Sequence, residues 1–146
     1  KPHLARVVAA GKRRGLWTAY HCCGSIPEII PDLIDIGVDV LNPVQHGCPG
    51  MEAARLKGEY GSRLAFMGGL DTQGLLPSGT AAEVERATAR LVEAMTAGGG
   101  GYILAASHTV PPETPPENVF AMYAAAGLGR AEIMDTAAAI RARRQP

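Results

Sequence analysis

The sequence lacks most of what marks a secreted, membrane-bound or nucleic-acid-binding protein. Cysteine occurs three times in 146 residues, and two of the three are adjacent. That is no disulfide framework; such thiols read as metal ligands or core fillers in a reducing cytoplasm. Neither sign of charge is in excess, with fourteen Lys and Arg against fourteen Asp and Glu. A nucleic-acid or anionic-membrane partner would need a basic surplus. No apolar run approaches the roughly 18 residues of a membrane span. A starting methionine is absent too: the sequence opens Lys1-Pro2-His3, partway through a helix, and is expected to be a piece of something longer.

What is present suits one packed core, since 47% of the residues are hydrophobic. Residues 4–14 are rich in Ala and Val, end in basic residues and stop at Gly15, a helix with a glycine terminator. Residues 16–23 read as a buried strand. Ser25-Ile26-Pro27-Glu28 has the form of a capping box, with a helix to Gly37, kinked or restarted at Pro31. A second strand is expected over 38–44, then a turn-rich loop through Gly50 and a helix over 51–60. A third strand falls at 64–71, with a loop over 72–79. Thr80-Ala81-Ala82-Glu83 is a second capping box, opening a helix to about Ala97 with Val84, Ala87, Leu91 and Met95 on one stripe. Gly98 to Gly101 sit between a helix and a strand, the wrong context for a phosphate cradle, and read as a flexible connection. The fourth strand spans 102–107. Thr114 and Glu117 frame a third capping box with proline in the first turn, and the helix runs to about Ala126.

The pattern is a helix followed by four strand–helix units. The strands are apolar on both faces, as parallel strands covered by helices are. Chemistry in such folds sits on the loops at the strand C-terminal ends. The expected class is therefore α/β, four parallel βα units amounting to half of an eight-unit barrel. The expected organisation is a single partial domain over 1–146, core at 16–126, with an exposed helical tail at 130–144. A half barrel leaves two open edges and an uncovered face. It is expected to be completed by a missing N-terminal half or by a second copy of the chain.

Tyr20-His21-Cys22-Cys23-Gly24-Ser25 is the densest cluster of metal-capable side chains. In a strand, residues i and i+2 share a face, so His21 and Cys23 point together and Cys22 points away, into packing. An imidazole and a thiolate on one face are two zinc ligands in position. A catalytic zinc commonly keeps one place open, where an entering substrate thiol is held as the reactive thiolate. Asn42, Gln45, Asp71 and Gln73 fall at the ends of the second and third strands. They are candidate substrate contacts or partners that orient the imidazole; Asp71 also suits a turn cap. His46 and Cys48, on the loop after the second strand, are weaker candidate ligands. Phe66, Met67, Phe120 and Met122 read as core.

Four stretches together resemble the C-terminal half of the uroporphyrinogen decarboxylase superfamily. They are residues 20–25, 36–45 (Ile-Gly-Val-Asp-Val-Leu-Asn-Pro-Val-Gln), 68–73 (Gly-Gly-Leu-Asp-Thr-Gln) and Ser107-His108 through Pro115-Pro116-Glu117-Asn118-Val119. The resemblance implies the last four units of a TIM (β/α)8 barrel. The family includes cofactor-free decarboxylases of uroporphyrinogen in tetrapyrrole synthesis. It also includes zinc methyltransferases that move methyl groups between a corrinoid protein and a small thiol. His21, Cys23 and Gly24 match the His-x-Cys-Gly of the zinc branch. At His108 that branch typically carries a cysteine, its third ligand, while the decarboxylases carry histidine near substrate. His108 is therefore expected either to complete a zinc site with His21 and Cys23, or to act with Asp71 in a metal-free decarboxylation. The expected activity is methyl transfer on a small-molecule substrate, with zinc as cofactor and a corrinoid carried by a partner protein. The alternatives are decarboxylation and an inactive half barrel that needs a second chain.

Overall fold

A computed structural model of the chain describes residues 1–144. Helix α1 (Pro2–Lys12) leads into strand β1 (Ala19–His21). After a 3-10 turn (Pro27–Ile29) come α2 (Ile30–Asp35), β2 (Val40–Val44), α3 (Ala53–Tyr60) and β3 (Ala65–Gly68). Then follow α4 (Leu75–Ser78), α5 (Ala81–Thr96), β4 (Tyr102–Ile103), α6 (Pro116–Ala124) and α7 (Arg130–Arg144). The strands form one sheet in the order β1-β2-β3-β4, every neighbouring pair parallel.

One face of the sheet carries the core. Leu41, Val44 and Phe66 are fully buried against Ile30, Leu56, Val84, Met95 and Met122 of the covering helices. The alternate positions of the strands are more open: Ala19 and His21 are exposed, Val40, Asn42, Ala65 and Met67 half-buried, and Ile103 is 50% exposed. A strand turns successive side chains to opposite faces, so the helix-free face is the one that bears His21 and Asn42. Gly68 closes β3 with φ +99°. A Cβ there would lie 3.0 Å from the Pro43 Cβ and 3.3 Å from the Ala106 carbonyl oxygen. Any larger residue would push the third strand end away from its neighbours.

Thr80 caps α5 as expected: its side chain accepts from the Glu83 N–H, and Glu83 accepts from the Thr80 N–H at 2.7 Å. Val84, Leu91 and Met95 form the buried stripe, with Thr88 fully buried in place of the half-buried Ala87.

The other two capping boxes do not form. Ser25 donates instead to the Pro49 carbonyl at 2.6 Å, and Ile26, immediately before Pro27, is the residue that precedes the turn. The N-cap of α6 is Pro115, extended at ψ 132°, and the Thr114 hydroxyl is buried without a partner. A residue before proline is pushed out of the α region. Each Xaa-Pro step thus moves the helix start one residue on, away from the expected oxygen.

The strands are shorter than the apolar runs suggest. Leu16 and Trp17 are not part of a buried strand; they are 57% and 84% exposed. They precede the first residue paired to β2, Ala19 opposite Val40. The loop expected over 72–79 contains α4.

Candidate functional site

The strand C-terminal ends of β1 and β2 carry His21 and Asn42, which lie opposite each other in the sheet register. Asn42 takes the Cys22 N–H on its backbone carbonyl at 2.9 Å, and its side-chain Oδ1 is 2.7 Å from His21 Nδ1. An amide oxygen only accepts, so this contact is a hydrogen bond when Nδ1 carries the proton, which leaves Nε2 with its lone pair. That lone pair faces Cys23, whose Sγ is 3.5 Å away. Cys22 is half-buried and packs against the core, on the other side of the strand.

The 3.5 Å separation also tests whether a metal fits. Zn–S and Zn–N bonds at tetrahedral angles place two such ligand atoms about 3.5 Å apart. The pair therefore fits two corners of a zinc site. His108 stands on the same wall, its ring centroid 6.4 Å from that of His21 and nearly perpendicular. Among the described residues no group of three His, Cys, Asp or Glu side chains is close enough to hold an ion.

His21, Asn42, Met67, Ser107 and His108 line a cavity of about 300 Å³. A second hollow of about 130 Å³ is lined by Gln45, His46, Cys48, Asp71, Gln73 and Ser107. Ser107, 4% exposed, forms a wall of both. A larger open groove of about 830 Å³ runs along α1 past His3, Arg6 and Arg13, remote from the strand ends. The β1 and β2 loops are clasped together: the Gly24 N–H donates to Gln45 Oε1, and Ser25 to the Pro49 carbonyl. Gln45 thus reaches the second hollow with its amide nitrogen unspent.

Asp71 does different work from the histidines. Its Oδ1 accepts from the Gln73 N–H at 3.0 Å, and Oδ2 from the N–H groups of Gly74 and Leu75 at 2.9 and 2.8 Å. Partial burial raises its pKa, but the three backbone donors, with nearby His46, hold it below the usual carboxylate value. Both oxygens are engaged in building the turn that starts α4.

The strand-end residues His21, Asn42 and His108 are thus brought around one cavity, with Cys23 beside His21, while Gln45, Asp71 and Gln73 surround the neighbouring one. Residue reading missed Ser107 and misassigned Met67, which faces the cavity rather than the core. Strand alternation carries the signal: with Phe66 fully buried, Met67 must face the other way.

Comparison with known proteins adds three findings. A family model described as Uroporphyrinogen decarboxylase (URO-D) matches residues 1–127. A solved structure, a methyltransferase from Methanosarcina mazei, superposes with a TM-score of 0.67 at 25% identity, over 83% of this chain and 34% of that one. The chain thus spans about a third of the length of that relative. No curated protein matches. The four parallel strands with their helices form an α/β sheet that superposes on part of that TIM-barrel methyltransferase.

Proposed function

This chain belongs to the uroporphyrinogen decarboxylase family, and we propose that within it the chain serves zinc-dependent methyl transfer from a corrinoid partner protein to a small thiol. One observation carries the reading: Cys23 Sγ and His21 Nε2 lie 3.5 Å apart, the spacing of two ligands on one tetrahedral zinc. The similarity to a methyltransferase over 83% of the chain supports it.

His21 would contribute its Nε2 lone pair and Cys23 its sulfur. His108, on the same cavity wall as His21, is the candidate for the third position. Zinc bound there supplies the Lewis acidity that keeps an entering thiol deprotonated near neutral pH. In the transfer the acceptor sulfur gives a lone pair to the methyl carbon, and the old bonding pair departs with the donor. Gln45 and Gln73 line the adjoining hollow, where they would hold the remainder of the acceptor. The open sheet face requires a further half barrel, from the N-terminal half of the same protein or from a second copy.

Metal analysis of the purified protein tests this. The wild type and Cys22→Ser should each retain roughly one zinc per chain, and Cys23→Ser should lose it. Zinc content unaffected by Cys23→Ser, or absent throughout, would refute the reading. A second reading, cofactor-free decarboxylation of a porphyrinogen by His108 and Asp71, draws on the place of His108 on the cavity wall. Porphyrinogen turnover that persists in a chelator would favour it. The engagement of both Asp71 oxygens by backbone N–H groups weighs against it.

A further inference from the structure

We infer that Asn42 is a positioning residue that sets the tautomer of His21 and thereby prepares the imidazole to bind metal. The inference rests on the zinc reading of His21 and Cys23 and names the group that makes that pair competent. A neutral imidazole has one protonated and one bare nitrogen, and only the bare one is a ligand. Left to water, an exposed histidine exchanges between the two forms, and His21 is exposed. Its Nδ1 is 2.7 Å from Asn42 Oδ1, a contact that is satisfied only with the proton on Nδ1. The lone pair on Nε2 then faces Cys23 Sγ at 3.5 Å.

The backbone makes this bond hard to lose. His21 and Asn42 are register partners on adjacent parallel strands, and the Cys22 N–H is bonded to the Asn42 carbonyl at 2.9 Å. Asn42 thus grips the strand end by its main chain and the imidazole by its side chain. A half-buried amide does this without adding a negative charge to the cavity. A carboxylate at the same position would keep the acceptor and strengthen the bond. An isosteric apolar side chain would keep the packing and remove it.

The test has two readouts on the full chain. Nitrogen-15 chemical shifts of the His21 ring in metal-free protein should report the Nδ1–H tautomer in wild type and Asn42→Asp. Asn42→Leu should give mixed tautomers. Zinc affinity, titrated against a chromogenic chelator, should fall on the order of 10- to 100-fold in Asn42→Leu. It should be equal to wild type or tighter in Asn42→Asp. A wild-type His21 protonated on Nε2 would overturn the inference. So would an Asn42→Leu protein that keeps both the tautomer and the affinity. If Asn42→Leu does not fold, the wild-type tautomer and the Asn42→Asp affinity decide, and a weakened Asn42→Asp overturns it. A wild type that binds no zinc would sink the zinc reading, while the tautomer still reports on Asn42 independently.

Discussion

Removing the Asp71 carboxylate should destabilise the fold by a predictable amount. Asp71 accepts three backbone N–H bonds, from Gln73 at 3.0 Å, Gly74 at 2.9 Å and Leu75 at 2.8 Å. The Gln73 and Gly74 backbones are exposed and would re-form bonds to water, so each costs roughly 0.5–1 kcal/mol when the carboxylate goes. Leu75 is half-buried, and its stranded N–H costs about 1–3 kcal/mol. Asp71→Ala should therefore lose about 2–5 kcal/mol. Asp71→Asn keeps one acceptor oxygen and should lose about half as much. Urea unfolding followed by circular dichroism, at constant slope, reads both values. The effect should depend on pH. The folded-state pKa of Asp71 is depressed, so its contribution is present in full above the unfolded value of about 3.9. It fades as pH falls below that value and through the lower folded one. The gap between wild type and Asp71→Asn should narrow accordingly in acid. An Asp71→Ala protein within about 0.5 kcal/mol of wild type at pH 7 would refute the structural role assigned to this carboxylate.

Two further changes probe the scaffold. Asn118 is 2% exposed, and its Nδ2 donates to the Leu76 and Gly79 carbonyls at 2.9 and 2.7 Å. Asn118→Leu should cost about 2–4 kcal/mol in urea unfolding by leaving both acceptors unmet and freeing the end of α4 from α6. Phe66 is fully buried in the sheet. Phe66→Ala should cost about 3–5 kcal/mol by thermal or urea unfolding, and a loss under 1 kcal/mol would show that the centre of the core lies elsewhere.

The helices and the parallel sheet were legible because their signals are local and repeated. The Thr80–Glu83 box and the Val84, Leu91, Met95 stripe specify α5 without reference to the rest of the chain. The nearness of His21 and Cys23 was legible from the i, i+2 alternation of extended backbone, although β1 itself ends at His21 and Cys23 lies just beyond it. What stayed hidden depends on partners distant in sequence. Ser25 reads as a helix cap and Ser107 as the end of the fourth strand, yet one is drawn to Pro49 and the other is walled between two cavities. The Leu16–Trp17 run is apolar, but whether it pairs depends on where β2 begins. Prolines misled twice in the same way, because Ser25 and Thr114 have the correct spacing to Glu28 and Glu117 while Pro27 and Pro116 displace the helix start. The Asn42–His21 bond is set by interstrand register, which no single stretch of sequence encodes.

Zinc K-edge X-ray absorption on the zinc-loaded protein bears most directly on the pairing of His21 with Cys23. One metal is expected, with sulfur at about 2.3 Å and nitrogen at about 2.0–2.1 Å in its inner shell, the sulfur disappearing in Cys23→Ser. An inner shell of oxygen and nitrogen alone in the wild type, or a sulfur signal that survives Cys23→Ser, would contradict that pairing.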